Sequence, residues 1–329
     1  MVGLQTVHGT WLDDLAVPRN DGRKPTAPAV FLSGNGPLVE VLQYELRAAG
    51  DGKTFVRGVK DYVKRYTRGK AVPPEHVLVF DEAQRAWDAA YVDHKHKEGD
   101  ATGKSEPEHF VEFAERIPEW GVVLALIGSG QEIHVGEEGG VAQWRVAIER
   151  SARSGEWQIH GPSQLAAMLA TESVPFIEHS DLHLDTELRF HMAKEVHRFV
   201  DNLVHGADPS INRTVSGTFA EQYAIRITRD LEVAKEYLQE RFSAEPEARY
   251  GILASSRDKS LVAFGIDNDF QSTKKVKLGR WYGEDEEDEG GWSCRHLHRP
   301  ITEFQCQGLE TDGALVAWGT DFVWQQVDA

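Results

Sequence analysis

Residues 77–88, VLVFDEAQRAWD, set four apolar side chains directly before two adjacent carboxylates. Val77, Leu78, Val79 and Phe80 are β-branched or bulky, too few for a helix, and preceded by Pro73 and Pro74. They read as a short strand buried on both faces, the pattern of a parallel sheet covered by helices. Ligands of open α/β sheets bind at the carboxyl ends of such strands, and that is where Asp81 and Glu82 fall.

The flanking chain alternates in the same rhythm. AVFL (29–32) reads as a strand and PLVEVLQYELRAAG (37–50) as a helix with Leu38, Leu42 and Leu46 on one face. After VLVF comes a helix opened by Ser105 and Glu108 at capping-box spacing and ending near Ile117, then the strand VVLALIG (122–128). A second set follows: a helix through 187–204, YAIRIT (223–228), a helix near 230–242, YGILAS (250–255) and ALVAW (314–318). Strand, helix, strand repeated in this way predicts parallel sheets flanked by helices, in two units split near residues 165–180.

Composition narrows the class. With 329 residues and 40% hydrophobic content the chain is long enough for two ordinary domains. A formal net charge of −17 excludes a generally basic nucleic-acid binder while allowing a local basic groove. Two cysteines make no disulfide framework and no apolar run is long enough to span a bilayer, so a reducing cytoplasm and no membrane are expected.

The Asp81–Glu82 pair has two readings: the solvated start of a helix, or a nucleotide site with Asp81 on Mg²⁺ and Glu82 on the attacking water, as P-loop NTPases arrange it. Gly128 and Gly130 after the third strand either simply turn the chain or let Gln131 put an amide at the same sheet edge, where it would touch a terminal phosphate. The loop Ser33, Gly34, Asn35, Gly36 is either a helix cap or a set of donors for a nucleic-acid phosphate. In KTFVRGVKDYVKRYTRGK (53–70), Arg57, Lys60, Lys64 and Arg68 recur at helical spacing, with Tyr62 and Tyr66 as possible stacking surfaces. That stripe is either a solvated helix face or a groove for single strands. Lys274, Lys275, Lys277 and Arg280 beside Trp281 and Tyr282 admit the same two readings. Cys294, His296, His298 and Cys306 lack the usual paired ligand spacing, so no zinc is expected.

FDEAQRAWD, LIGSGQEIHVGEEGGVAQW, LRFH and TEFQCQGLETDGALVAWGTDF stand in one order along the chain, and together they resemble the Schlafen group-3-like DNA/RNA helicase domain family, within superfamily 1, over nearly the whole length. The resemblance implies two RecA-like lobes of P-loop NTPase type, residues 1–170 and 171–329. It implies that FDEAQ is the Walker B element, with Asp81 on Mg²⁺, Glu82 activating water and Gln84 on the nucleotide. Gln131 becomes the γ-phosphate contact of motif III, and Arg189 the motif IV arginine that reaches the same phosphate from the second lobe. Gly308 and Glu310 match motif V, where a turn approaches the nucleotide and a carboxylate holds the ribose. LSGNG matches motif Ia, a single-strand contact. ATP and Mg²⁺ are the implied cofactors, and single-stranded DNA or RNA the implied partner.

Two elements of the family pattern are missing. No G-x-x-x-x-G-K-[ST] loop occurs in these residues, and the chain stops short of the motif VI arginine. MVGLQTVHGTWLDDL reads like the rest of the helix that follows the loop, so the expectation is a chain truncated at both ends whose longer parent hydrolyses ATP. The alternative is a non-hydrolysing nucleic-acid- or partner-binding scaffold that keeps the cleft.

Overall fold

The computed structural model describes residues 7, 9–19, 22–49, 52–67, 71–95, 102–128, 140–183, 199–200, 202–204, 225–285, 287 and 290–323. Its first sheet contains β1 (Ala29–Ser33), β2 (Val56–Gly58), β3 (Val77–Phe80) and β4 (Val122–Ala125), all parallel, in the order β2-β1-β3-β4. Every residue of β1 and β3 is buried, and the period of two divides them between two cores. Val30, Leu32, Leu78 and Phe80 face α2 (Val59–Thr67), α3 (Glu106–Arg116) and α4 (Ala142–Glu149), whereas Ala29, Phe31, Val77 and Val79 face Val39 of α1 (Gly36–Glu45). The strand reading of VLVF is therefore what the structure shows, for the reason given: helices cover both faces.

Ser105 and Glu108 form the expected capping box on α3, with Ser105 N–H donating to Glu108 Oε2 at 2.8 Å and Glu108 N–H to Ser105 Oγ at 3.4 Å. Other expectations need correction. The strand read over 122–128 ends at Ala125, and the helix read to Gly50 ends at Glu45, followed by a 3₁₀ turn at Leu46–Ala49. No strand forms at 225–228, and most of the helix read over 187–204 lies outside the described residues.

A small parallel pair, β5 (Ile159–Gly161) and β6 (Phe176–Glu178), leads to a third sheet of β7 (Tyr250–Ala254), β8 (Ile301–Thr302) and β9 (Gly313–Ala317), parallel and ordered β8-β7-β9. The fold is thus α/β, with parallel sheets flanked by helices as in P-loop NTPases. Helix α5 (Leu231–Arg241) covers the third sheet through Leu238. Helix α6 (Leu278–Gly283) packs against α1: a Cβ on Gly279 would lie 2.6 Å from Tyr44 Cβ, and one on Gly283 2.7 Å from Tyr44 Cδ1. Glycine at both positions lets the two helices meet around Tyr44, whose hydroxyl donates to Glu284. No helix among the described residues is long and apolar enough to cross a membrane.

At the amino end of β3, Glu75 is 2% exposed, accepts a hydrogen bond from Tyr62 Oη at 2.9 Å and lies 3.7 Å from Arg57 Nη2. Burial pushes its carboxyl pKa up, against the lowering pull of Arg57 and the Tyr62 hydroxyl. Folding therefore favours the protonated acid: that stabilisation is fully present below the ordinary carboxylate value and is lost as pH rises through the raised one. Glu75→Gln keeps an acceptor for Tyr62, so the variant is expected to gain stability relative to the parent as pH rises from acid to neutral. Urea midpoints of both proteins across that range check it; a constant difference would show that Glu75 titrates as it does unfolded.

Candidate nucleotide site at the carboxyl edge

Chain direction across the first sheet reverses at β1: the chain steps to β2 on one side, then to β3 and β4 on the other. The carboxyl ends of β1 and β3 thus frame the switch point where open sheets bind ligands. Ser33 ends β1 and Asp81 follows β3. Ser33 Oγ donates to Asp81 Oδ2 at 3.3 Å, and Asp81 N–H to the Leu32 carbonyl at 2.8 Å, extending the ladder one residue into the loop. Burial raises the Asp81 carboxyl pKa, the neighbouring Glu82 charge raises it further, and the Ser33 hydroxyl opposes both.

Glu82 has φ 55° and ψ 45°, a left-handed conformation that side chains with a Cβ seldom adopt. The turn is held in it from two sides. Ala83 N–H donates to the Leu126 carbonyl at 2.8 Å, while from α4 Trp144 Nε1 donates to the Ala83 carbonyl at 2.9 Å and Gln143 Nε2 to that of Ala86 at 3.1 Å. Gln84 then bridges: its Nε2 donates to Glu82 Oε2 at 2.6 Å and its Oε1 accepts from Gly128 N–H at 2.9 Å. A Cβ on Gly128 would sit 3.4 Å from Gln84 Nε2 and 3.7 Å from Glu82 Oε2, in ordinary contact with both, so Gly128 lies directly against this bridge. Backbone strain secured by this many bonds is characteristic of functional turns. Trp144, Gln143 and Gly128 were not singled out for this role; the signal was GGVAQW and LIG, both within the quoted motifs.

The loop after β1 touches both halves of the chain. Asn35 caps α1 by accepting from Leu38 N–H at 3.3 Å, and its Nδ2 donates to the Gln307 carbonyl at 2.8 Å. Gly308, at φ +78°, packs where a Cβ would lie 3.3 Å from Asn35 Nδ2. Gly308 and the Ser33–Gly36 loop are therefore neighbours, and the exposed Glu310 follows with its carbonyl accepting from Tyr282 Oη at 2.8 Å. Ser33 is buried and turned to Asp81, and the Asn35 amide is engaged as cap and bridge; Gly34 remains exposed.

The basic stripe also changes. Arg57 lies on β2, ahead of the helix, beside Glu75; Lys60 and Lys64 are exposed on α2. Tyr62 and Tyr66 are 1% and 2% exposed and belong to the core, so neither offers a face to a base. Trp281 is likewise buried. Gln131, Arg189 and Arg68 lie outside the described residues.

Among the described residues no group of three or more His, Cys, Asp or Glu side chains is placed to hold a metal ion. Cys294 is buried, its thiol pKa pushed up to about 11 mainly by burial, and His296 and His298 stack on each other at 5.5 Å. Asp81 with the Ser33 hydroxyl supplies hard oxygen donors, which suits Mg²⁺: that ion takes one or two carboxylates and completes its shell with water and substrate phosphates.

No curated protein and no solved structure matches the chain significantly. The family model described as Schlafen group 3, DNA/RNA helicase domain matches residues 7–329. With nearly every residue inside that match, the chain belongs to the Schlafen group 3 DNA/RNA helicase domain family.

Proposed function

We propose that the carboxyl edge of the first sheet binds an Mg²⁺–ATP complex and that its hydrolysis drives movement on, or remodelling of, single-stranded DNA or RNA in the cytoplasm. The observation that carries this reading is Glu82, held in a strained turn beside Asp81 at the switch point. Asp81 and Ser33 would hold Mg²⁺, which would supply positive charge against the phosphates. Glu82 orients the attacking water and accepts its proton, with Gln84 fixing the carboxylate through Oε2. Gln131 contacts the terminal phosphate, Arg189 stabilises charge on it from a second RecA-like lobe beginning near residue 171, and the Gly308 turn with Glu310 closes on the nucleotide and ribose.

Phosphoryl transfer depends on positioning and charge stabilisation, and these 329 residues hold no loop of the spacing G-x-x-x-x-G-K-[ST]. Turnover is therefore assigned to protein in which such a loop completes the cleft. Phosphate release with and without a single-stranded oligonucleotide tests this. Strand-stimulated release from loop-containing protein supports the ATPase; no release from it favours the second reading, a scaffold that binds without hydrolysis.

Lys60 and Lys64, four residues apart on the exposed face of α2, are proposed as strand contacts together with Arg68. Each phosphate neutralised on a single strand adds about 0.7 to the slope of log affinity against log salt. Lys60→Glu with Lys64→Glu is expected to weaken oligonucleotide binding and flatten that slope by about 1.4. Fluorescence anisotropy across a salt series measures both, and an unchanged slope removes α2 from the interface.

A further inference from the structure

Where α1 and α6 pack, the structure leaves an open groove of about 400 Å³ whose walls carry Arg47 and Lys53 from the first-sheet side and Lys277 and Arg280 from the third-sheet side. Glu40 is the one acid on these walls, and its Oε1 accepts from Gly279 N–H at 3.3 Å. Four cations face two carboxylates here, Glu40 on the walls and Glu284 beside them, whose Oε1 lies 3.3 Å from Arg280 Nε, so positive charge still outweighs negative on a chain of net charge −17. Next to the groove one further cation, Arg299, joins two of these around a single ring. Lys277 Nζ, Arg280 Cζ and Arg299 Cζ lie 5.2, 5.3 and 4.5 Å from the centroid of the Trp292 ring. The ring face attracts each cation and so gathers three of them at one indole, Arg280 also pairing with Glu284 at 3.3 Å.

The groove is not the carboxyl-edge site. Helix α1 starts beside Ser33 and runs back along the sheet, and its ten residues span about 15 Å at 1.5 Å each. Arg47 and Lys53 follow its far end, before β2 begins, so they lie toward the amino end of the strands. A volume of this size falls within the range of small-ligand sites, and guanidinium and ammonium groups on opposing walls suit phosphate oxygens.

We propose that this cleft binds a phosphate-bearing ligand, either the polyphosphate of a free nucleotide or the backbone of a nucleic-acid strand, held by Arg47 and Lys53 on one wall and Lys277 and Arg280 on the other. Such a ligand touches helices of both sheets and so strengthens the α1–α6 packing. The inference stands whether or not Asp81 and Glu82 bind a nucleotide.

The test uses the full chain, sodium tripolyphosphate as probe, and Lys53→Glu with Lys277→Glu, both exposed positions; Lys53→Gln with Lys277→Gln is the milder pair should reversal impair folding. Tripolyphosphate is expected to raise the unfolding temperature saturably, beyond sulfate at matched ionic strength, and the paired substitution to weaken its binding at least tenfold. Lys60→Glu with Lys64→Glu should leave that effect intact. Tripolyphosphate that also displaces a labelled single strand identifies the backbone as the ligand; tripolyphosphate that binds without displacing it identifies a free nucleotide. The proposal is overturned by no rise beyond sulfate, as for cations that only balance the acidic stretch beginning at Glu284, or by equal rises in the parent and the paired variant.

Discussion

Glu82→Gln is expected to lower strand-stimulated phosphate release by roughly 10²- to 10⁴-fold, the range attributed to a positioned acid–base group, with little change in nucleotide affinity. The amide is nearly isosteric and can keep the bond from Gln84, which runs from Nε2 to Glu82 Oε2 at 2.6 Å. Only the proton acceptor is lost. Steady-state turnover and equilibrium binding of a fluorescent nucleotide, both on loop-containing protein, separate the two effects. A variant that turns over normally would show that Glu82 is there for the turn rather than the chemistry.

Glu82→Gly distinguishes those roles from the other direction. A left-handed residue with a Cβ carries roughly 1–2 kcal/mol of steric penalty, part of which glycine returns through its more flexible unfolded chain. The glycine variant is expected to be more stable by up to about 1 kcal/mol while losing turnover as the glutamine variant does. Chemical denaturation checks the stability. A gain in stability together with loss of turnover is the signature of strain kept for function.

How much of this was readable beforehand followed from how local each cause is. β1, apart from its closing Ser33, and β3 are short, apolar and buried on both faces, so their pattern has one physical solution; Ser105 and Glu108 cap a helix by contacts within four residues. The carboxylate pair at a strand end was legible for the same reason. The partners of those carboxylates were not, because Ser33 is 48 residues from Asp81 and Gly128 is 44 from Gln84, and spacing says nothing of contacts across a sheet. β2 was hidden because three residues, VRG, sit within a run of basic side chains. The burial of Tyr62 and Tyr66 was present in the pattern: Val59, Tyr62, Val63 and Tyr66 are the apolar face of α2, which turns Lys60 and Lys64 the other way. YAIRIT alternates like a strand, yet 225–228 pair with no other strand in the described residues.

Trp281→Ala is expected to destabilise the protein by about 3–5 kcal/mol, the usual loss when a buried aromatic is truncated. Trp281 has 0% exposure and packs with Val276, Leu278, Cys294 and Ile301, and with Val41 of α1, so its loss loosens the junction between the first and third sheets as well as the core. Its Nε1 also donates to the Arg299 carbonyl at 2.9 Å, a bond that alanine cannot replace. The space it fills is shared with Gly251 on β7, where a Cβ would lie 2.4 Å from Trp281 Cζ2 and 3.2 Å from Cys294 Cβ. Gly251→Ala is accordingly expected to cost about 1–3 kcal/mol by overpacking. The two costs should not add: with the indole gone, the alanine methyl enters the vacated space, and the double variant should be more stable than the sum of the single effects by 0.5 kcal/mol or more, as for residues in direct contact. Urea denaturation of the four proteins completes the cycle, and strictly additive losses would mean that Gly251 and the Trp281 ring do not meet.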